Sequence, residues 1–382
     1  MRLYEHESKT ILASYGVLIP KGITATNLPE AGEALTNLKL PVAIKAQVLI
    51  AGRGKAGGIL FADSAEEAKI ATEKLLSTQI RGIPVKKVLI EEKIPIYKEF
   101  YLGITVDRAK KTYVAIASSA GGIEIEEIAE TTPEAILKTP IDAQYGFHAF
   151  QAREIASRME CTGSQLLDLG NIFEKLYRAG MDLDAELIEL NPLAETSDGK
   201  LVAVDARIII DDNALFRHPE YEKKQTEDYR ELDPKEAEAL RNGLAYVKLD
   251  GNIGVIGNGA GLVMATLDLI SHYKGRPANF LDLGGGAPSE KIATALQIVL
   301  SEPNVKTLVL NILGGITRCD EVARGIIETK TKGAVAKPIV VRLVGTNEEE
   351  GKRLLSEAEI PVLDSMEEAV KRAIEIVNSE AK

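Results

Sequence analysis

The sequence predicts an α/β protein in two parts: a mixed α+β first part, and a second part built on a parallel, doubly wound sheet. Three observations carry that prediction. Short runs with apolar residues at every second position recur through the first part. From about residue 253 onward, strand-like and helix-like runs alternate regularly. Between them, at about 211 to 240, lies a charge-rich stretch poor in apolar residues, DDNALFRHPEYEKKQTEDYRELDPKE. That stretch reads as a linker, so the boundary is placed at residue 240 and the domains at 1–240 and 241–382.

In the first part, PVAIKAQV at 41 to 48 puts Val42, Ile44, Ala46 and Val48 on one side and Lys45 and Gln47 on the other, so Lys45 points away from the core. A glycine-rich loop follows, then a helix from Ser64 to about Leu76. Strands are expected at 85 to 91, 100 to 106, 113 to 118 and 123 to 129. Amphipathic helix is expected from about 150 to 181. Strands at 185 to 191 and 201 to 207 come last, with a turn at Ser197-Asp198-Gly199. In the second part, strands are expected at 253 to 257, 280 to 283, 306 to 313 and 338 to 343. Helices fall from about 260, at 288 to 300, 317 to 329 and 348 to 358, and at 365 to 378. The last is marked by Met366, Ala369, Val370, Ala373, Ile374 and Val377 on one 3.6-residue face.

Composition narrows the function classes. The chain has 382 residues, 45% of them hydrophobic, and a formal net charge of -11, which argues against a nucleic-acid binder that would need a basic face. Cys161 and Cys319 are too few for a disulfide framework. No apolar run reaches the roughly 18 residues that span a bilayer, and the opening MRLYEHESK has no leader character, so cytoplasm is the expected location and no membrane partner is expected.

Three groups of residues could carry chemistry. Gly52-Arg53-Gly54-Lys55-Ala56-Gly57-Gly58 follows the Lys45 strand; its glycines let backbone N–H groups approach phosphate oxygens while cations neutralise them. The spacing is not that of a P-loop, and a glycine-rich hairpin turn is the bland alternative. Glu189, Asn191 and Asp205 lie on a strand pair that could present oxygen atoms to a hard cation such as Mg²⁺, or simply be a solvated face. Gly257-Asn258-Gly259-Ala260-Gly261, Gly284-Gly285-Gly286 and Gly314-Gly315-Ile316-Thr317 each join a strand to a helix, where an anion can bind, or where glycine merely permits close packing. His6, His148, His218 and His272 read as structural or surface residues, and Cys319 as a packing residue.

Taken together, LYEHESKTILASYGVLIPKG, IKAQVLIAGRGKAGG, KEFYLGITVDR, LIELNPL, DDNALFR, DGNIGVIGNGAGLVMAT, PANFLDLGGGA, VLNILGGITRCD and VVRLVGTNEEEGK resemble the β subunits of succinyl-CoA synthetase, in order and over essentially the whole chain. The resemblance implies an ATP-grasp N-terminal domain and a flavodoxin-like C-terminal domain. It implies that Lys45 and the Gly52-Arg53-Gly54 backbone hold nucleotide phosphates, that Glu91, Ile94 and Glu99 line the base and ribose pocket, and that Asn191 and Asp205 hold Mg²⁺. Asn258 and the Gly315-Ile316-Thr317 turn are implied as contacts to the carboxylate substrate, at a helix whose N-terminus receives a phosphorylated histidine. That histidine and most of the CoA site are implied to belong to an α subunit, in an αβ or α₂β₂ assembly. The implied reaction joins succinate and CoA at the expense of ATP or GTP. Rival readings are a malate-CoA ligase or ATP-citrate lyase type of chain, a non-catalytic nucleotide sensor or scaffold, and an NAD-dependent dehydrogenase.

Overall fold

A computed structural model describes residues 1–50, 52–221, 233–331 and 337–379. The chain divides into two compact units, Met1–Glu227 and Asp228–Lys382. Of the charged stretch expected to link domains, 222–232 lie outside the described residues. Its flanks are ordered: short 3-10 turns at Asp212–Arg217 and Pro219–Tyr221 on one side, and on the other a helix, Pro234–Arg241, capped by the Asp233 side chain.

Besides a short two-stranded pair, Gln79–Ile80 with Ile83–Pro84, the first unit holds two main antiparallel sheets. The smaller runs Gly22–Ala25, Val88–Glu92, Val42–Ala46, Ile59–Ala62. Period-2 alternation gives it two faces. Val42, Ile44, Val88 and Ile90 pack under the helices Leu28–Thr36 and Ala65–Leu76 in one apolar cluster. Lys45 and Glu91 are on the opposite face. Lys45 does point away from that core, but not into water: it is 3% exposed, enclosed by charged neighbours. The larger sheet runs Leu201–Ala203, Ala185–Thr196, Ile96–Asp107, Thr112–Ser118, Leu137–Pro140, with Ala206–Ile210 also paired to Ala185–Thr196. Its core includes Phe100, Leu102, Phe173, Leu176, Ile188 and Ile208, beneath the helices Ala149–Arg158 and Gly163–Asp182. The chain start closes this unit. Leu3 N–H donates to Ile208 O at 3.0 Å, and the helix Glu5–Ser14 follows directly.

Three expectations for this unit need correction. Residues 123 to 129 are not a strand: Ile125–Thr131 is a helix, in which Ile128 is the buried residue while Ile123 before it remains exposed, leaving no strand face to bury. The helical stretch 150 to 181 is two helices, broken at Glu160, whose φ is 63°, and at the capping residue Thr162. The strand expected at 201 to 207 is interrupted at Val204 and Asp205. They lie opposite Asn191 and Pro192, and proline has no N–H with which to continue the ladder.

In the second unit the sheet order is Ala245–Lys248, Asn279–Asp282, Ile253–Gly257, Thr307–Gly314, Ile339–Gly345, Val362–Leu363. Ala245–Lys248 is antiparallel; the others are parallel. Numbered along the chain, the parallel strands have order 2-1-3-4-5, the flavodoxin-type arrangement, whose switch point falls between Ile253–Gly257 and Thr307–Gly314. Helices Ala260–His272 and Met366–Ser379 share one apolar cluster, and Ser289–Leu300, Cys319–Thr331 and Glu348–Glu357 contribute to another. The helix expected at 317 starts at Cys319, whose N–H donates to Thr346 O at 2.9 Å; Gly315, Ile316 and Thr317 form a bend before it.

Candidate functional site

Between the two sheets of the first unit lies a group of six charges with little access to water. Glu5 accepts from Lys9 at 2.7 Å, from Lys45 at 3.1 Å and from Arg53, and its Oε2 also accepts from Gln47 Nε2 at 3.3 Å. Glu91 takes Lys9 at 2.6 Å and Lys45. Arg53 reaches Asp205 Oδ2 at 2.9 Å and Ala46 O at 3.0 Å, and Lys45 Nζ donates to Val204 O at 2.7 Å. Lys9, Lys45 and Arg53 thus face Glu5, Glu91 and Asp205, and the formal charges cancel. Burial works against Lys45 and Arg53 staying charged, but the carboxylates outweigh it and hold both pKa values above the ordinary range. Burial likewise pushes the Glu5 carboxyl up, and Arg53, Lys45 and Lys9 together hold it well below the usual value.

Local structure explains how these side chains meet. Lys45 and Glu91 share a face because Ala43 is in register with Glu91 on adjacent strands and the pleat alternates. Arg53 is held by its loop closing on the strand: Gly58 N–H donates to Arg53 O at 2.8 Å and Ala46 N–H to Gly58 O at 2.8 Å. Asp205 is presented by the interruption in the larger sheet, where Asn191 N–H donates to Asp205 O at 3.2 Å and Val204 N–H to Pro192 O at 3.1 Å.

The remaining nucleotide and metal candidates are placed as follows. Gly52 and Gly54 belong to the turn that positions Arg53. Glu91 lies inside the charge group, 2% exposed, rather than on the wall of an open pocket, because its strand face is the one covered by the N-terminal helix. Ile94 is in the connection between Val88–Glu92 and Ile96–Asp107, which joins the two sheets. Glu99 is partly buried, its carboxyl raised by that burial, and it lies against Gly122, whose φ of 74° and contact with Glu99 leave no room for a side chain. Asn191 and Asp205 are adjacent through the backbone, yet their side chains diverge. The Asn191 amide accepts from Gly122 N–H and donates to Ile123 O, both at 2.9 Å, while Asp205 pairs with Arg53. Glu189, on the same strand, is half-buried and its carboxyl is raised by that burial, with Tyr101 Oη donating to it at 2.9 Å and Arg207 at 3.7 Å. Among the described residues no group of three or more His, Cys, Asp or Glu could hold a metal ion.

In the second unit, Asn258 and the Gly315 turn meet at the carboxyl edge of the switch-point strands. The Asn258 amide accepts from Leu313 N–H and donates to Leu313 O, each at 2.9 Å, so it extends the ladder one residue beyond Gly257. Thr317 is buried and its Oγ1 accepts from Gly286 N–H at 3.0 Å, which ties the second glycine turn to the third. Gly315 has no atom within 4 Å of where a side chain would start, and Ile316 is 83% exposed. The first glycine turn is not a free anion site. The Asp282 carboxylate already accepts from Gly259 N–H at 2.6 Å and Gly284 N–H at 2.8 Å.

None of the histidines stands in a nucleophile arrangement: His6 bonds Gln47, His148 caps a helix, His218 pairs with Asp184, and His272 lies against Tyr273. Cys319 is fully buried and burial pushes its thiol up to about 11, which fits packing. The residues that sequence reasoning passed over are Glu5 and Lys9. The i,i+4 spacing in YEHESK was the available signal, but such pairs are usually solvated.

Comparison with known proteins bears on both units. A family model described as an ATP-grasp domain matches residues 2–195, and one described as CoA-ligase matches residues 256–376. Succinate–CoA ligase (ADP-forming) subunit beta of Ignicoccus hospitalis is 48% identical over 379 residues, covering 99% of this chain and 100% of that protein. Succinate–CoA ligase (GDP-forming) subunit beta of Thermus thermophilus is 47% identical over 384 residues, with 100% of each chain covered. A solved structure of ATP citrate lyase from Methanothrix soehngenii, in complex with citrate and coenzyme A, aligns with TM-score 0.74 at 18% identity over 98% of this chain and 99% of that one, a likeness of fold.

Proposed function

Since the chain belongs to the family of succinate–CoA ligase β subunits, with an ATP-grasp domain followed by a CoA-ligase domain, we propose that it supplies the nucleotide and carboxylate sites of an acid–thiol ligase completed by an α subunit. The reaction is succinate + CoA + nucleoside triphosphate giving succinyl-CoA, nucleoside diphosphate and phosphate. The observation that carries the nucleotide half is the burial between two sheets of Lys45, on its strand, and Arg53, on the glycine-rich loop and paired with Asp205.

In this reading Lys45, Arg53 and the Gly52–Gly54 backbone neutralise the phosphates, and Ile94 and Glu99 border the base and ribose. Asn191 and Asp205 offer the oxygen donors that a hard divalent cation takes: they are neighbours through a backbone hydrogen bond and neither is fully buried, and to share a cation their side chains would turn from Gly122 and Arg53. Mg²⁺ bound there would neutralise phosphate charge. The γ-phosphoryl group leaves the nucleotide for a histidine nitrogen of the α subunit and then passes to a succinate carboxylate oxygen. The CoA sulfur displaces it as inorganic phosphate. Asn258 and the Gly315-Ile316-Thr317 turn orient the carboxylate. This chain contributes positioning and charge rather than a covalent intermediate.

The test is to purify the chain with its α partner and assay ATP and GTP against succinate, malate and citrate. Succinate is the expected acid; turnover confined to malate or citrate would overturn the assignment. Relatives named for ADP and for GDP stand at similar identity, so the same assay identifies the base.

A further inference from the structure

We propose that Glu5, in the first turn of the N-terminal helix, is a positioning residue for the phosphate-binding cations: it stays in place and sets the spacing of Lys45 and Arg53, while Asp205 is the carboxylate that yields to the nucleotide. The proposal rests on the reading of Lys45 and Arg53 as phosphate ligands.

The six charges cancel as they stand, so an incoming polyphosphate must take cations from at least one of the three carboxylates. Exposure and connectivity decide which. The Asp205 side chain is 30% exposed, and the ion pair to Arg53 is the one it makes within the group; the Glu5 and Glu91 side chains are each 2% exposed. A phosphate arriving from water therefore meets Asp205 first. Glu5 alone touches both candidate phosphate ligands. Its Oε1 takes Lys45 at 3.1 Å and its Oε2 takes Arg53, so one rigid carboxylate bridges the strand that carries Lys45 and the loop that carries Arg53.

Glu5 is itself fixed from three directions. Lys9, one turn along the helix, holds Oε1 at 2.7 Å. Gln47 donates to Oε2 at 3.3 Å and accepts from His6 N–H at 3.1 Å, which locks the helix start to the strand that carries Lys45. Position in the first turn favours a negative side chain there. Such a group is costly to move, and holding two cations at constant separation is what a polyphosphate site requires.

Four readouts test this on the complex with the α partner: melting temperature, KM for MgATP, KM for succinate, and calorimetric binding of MgADP. Glu5→Gln is expected to raise KM for MgATP about tenfold or more, the value of one charge-assisted contact, and to leave KM for succinate unchanged. The double variant Glu5→Gln/Lys9→Met removes one charge of each sign and so regains the stability lost in the single variant. A positioning role keeps its KM for MgATP high; a return to the wild-type KM together with the melting temperature overturns the proposal. Should neither variant fold, Glu5→Asp keeps the charge and draws it back by one methylene. A several-fold rise in KM for MgATP supports the role, and an unchanged KM overturns it. Failure of the wild-type protein to bind MgADP would instead overturn the phosphate reading itself, an outcome visible without any variant.

Discussion

Removing Lys45 and Arg53 from water costs several kcal/mol for each ion, a cost offset here by Glu5, Glu91 and Asp205. Asp205 can be neutralised with little structural penalty, because Arg53 keeps Glu5 and the Ala46 carbonyl. Asp205→Asn is therefore expected to fold with a melting temperature near that of the wild type. It should lose turnover by orders of magnitude, since one anionic oxygen for Mg²⁺ goes with it; a fully active variant in a steady-state assay would place the metal elsewhere. Lys45, Arg53, Asn191 and Asp205 could be singled out in the sequence because cations beside a glycine loop suit phosphate and oxygen side chains on a strand pair suit a hard cation. The choice of those roles over a plain turn and a solvated face came from the resemblance. Glu5 and Lys9 were not, because nothing in YEHESK distinguishes a buried pair from a solvated one. The burial of Glu91 in the charge group was not legible either, since period 2 gives the face of a residue and not what covers that face.

At the scale of elements, the turn Gly315-Ile316-Thr317 separates two kinds of glycine. Gly315 is open on every side, so Gly315→Glu should leave melting temperature and MgATP affinity nearly unchanged while abolishing most acyl-CoA synthesis, through negative charge at the proposed carboxylate and phosphohistidine site. Normal synthesis by a stable, assembled Gly315→Glu enzyme would remove the turn from the site. Gly345 is the contrast. Its φ is 122° and an added Cβ would lie 2.0 Å from Gly314 O, so Gly345→Ala should lower the melting temperature by several degrees. The second unit was largely legible because most strands and helices there alternate at full length; among the described residues the helix Pro234–Arg241, read as linker, the short antiparallel edge Ala245–Lys248 and the final Val362–Leu363 strand escaped notice. The first unit was harder. Ile123 and Ile125 alternate like a strand, and Pro192, opposite Val204, broke a strand that alternation alone would have continued.

For the whole molecule, the chemistry proposed is shared between chains, and this one has no histidine placed to accept phosphate. His6 is the nearest to the charge group, and its ring nitrogen meets the Gln47 amide oxygen at 2.9 Å. Incubated alone with γ-labelled ATP and Mg²⁺, the protein should bind nucleotide and acquire no stoichiometric acid-labile label; label on His6, His148, His218 or His272 would overturn the two-chain scheme. A parallel, doubly wound second half could be inferred from alternation alone, and its flavodoxin-like type came from the resemblance. The ATP-grasp half was named only by resemblance, because its architecture depends on pairings of high sequence separation, such as Leu3 with Ile208, that leave no periodic trace.

Those long separations give the charge group an order of assembly. Met1 bonds Ile210, Ala203 bonds Leu18, and Asp205 bonds Arg53 across 152 positions, so the helix that carries Glu5 is not fully docked until the strand Ala206–Ile210 has been made. On the ribosome, a chain that ends before Asp205 holds Lys9, Lys45 and Arg53 against Glu5 and Glu91, one carboxylate short, and its apolar Leu3 and Leu12 remain without their sheet. The two sheets around the charge group therefore cannot be completed in succession as translation proceeds. They close in one late, cooperative step, and any truncation upstream of Ile210 should yield an aggregating fragment rather than a smaller nucleotide-binding domain.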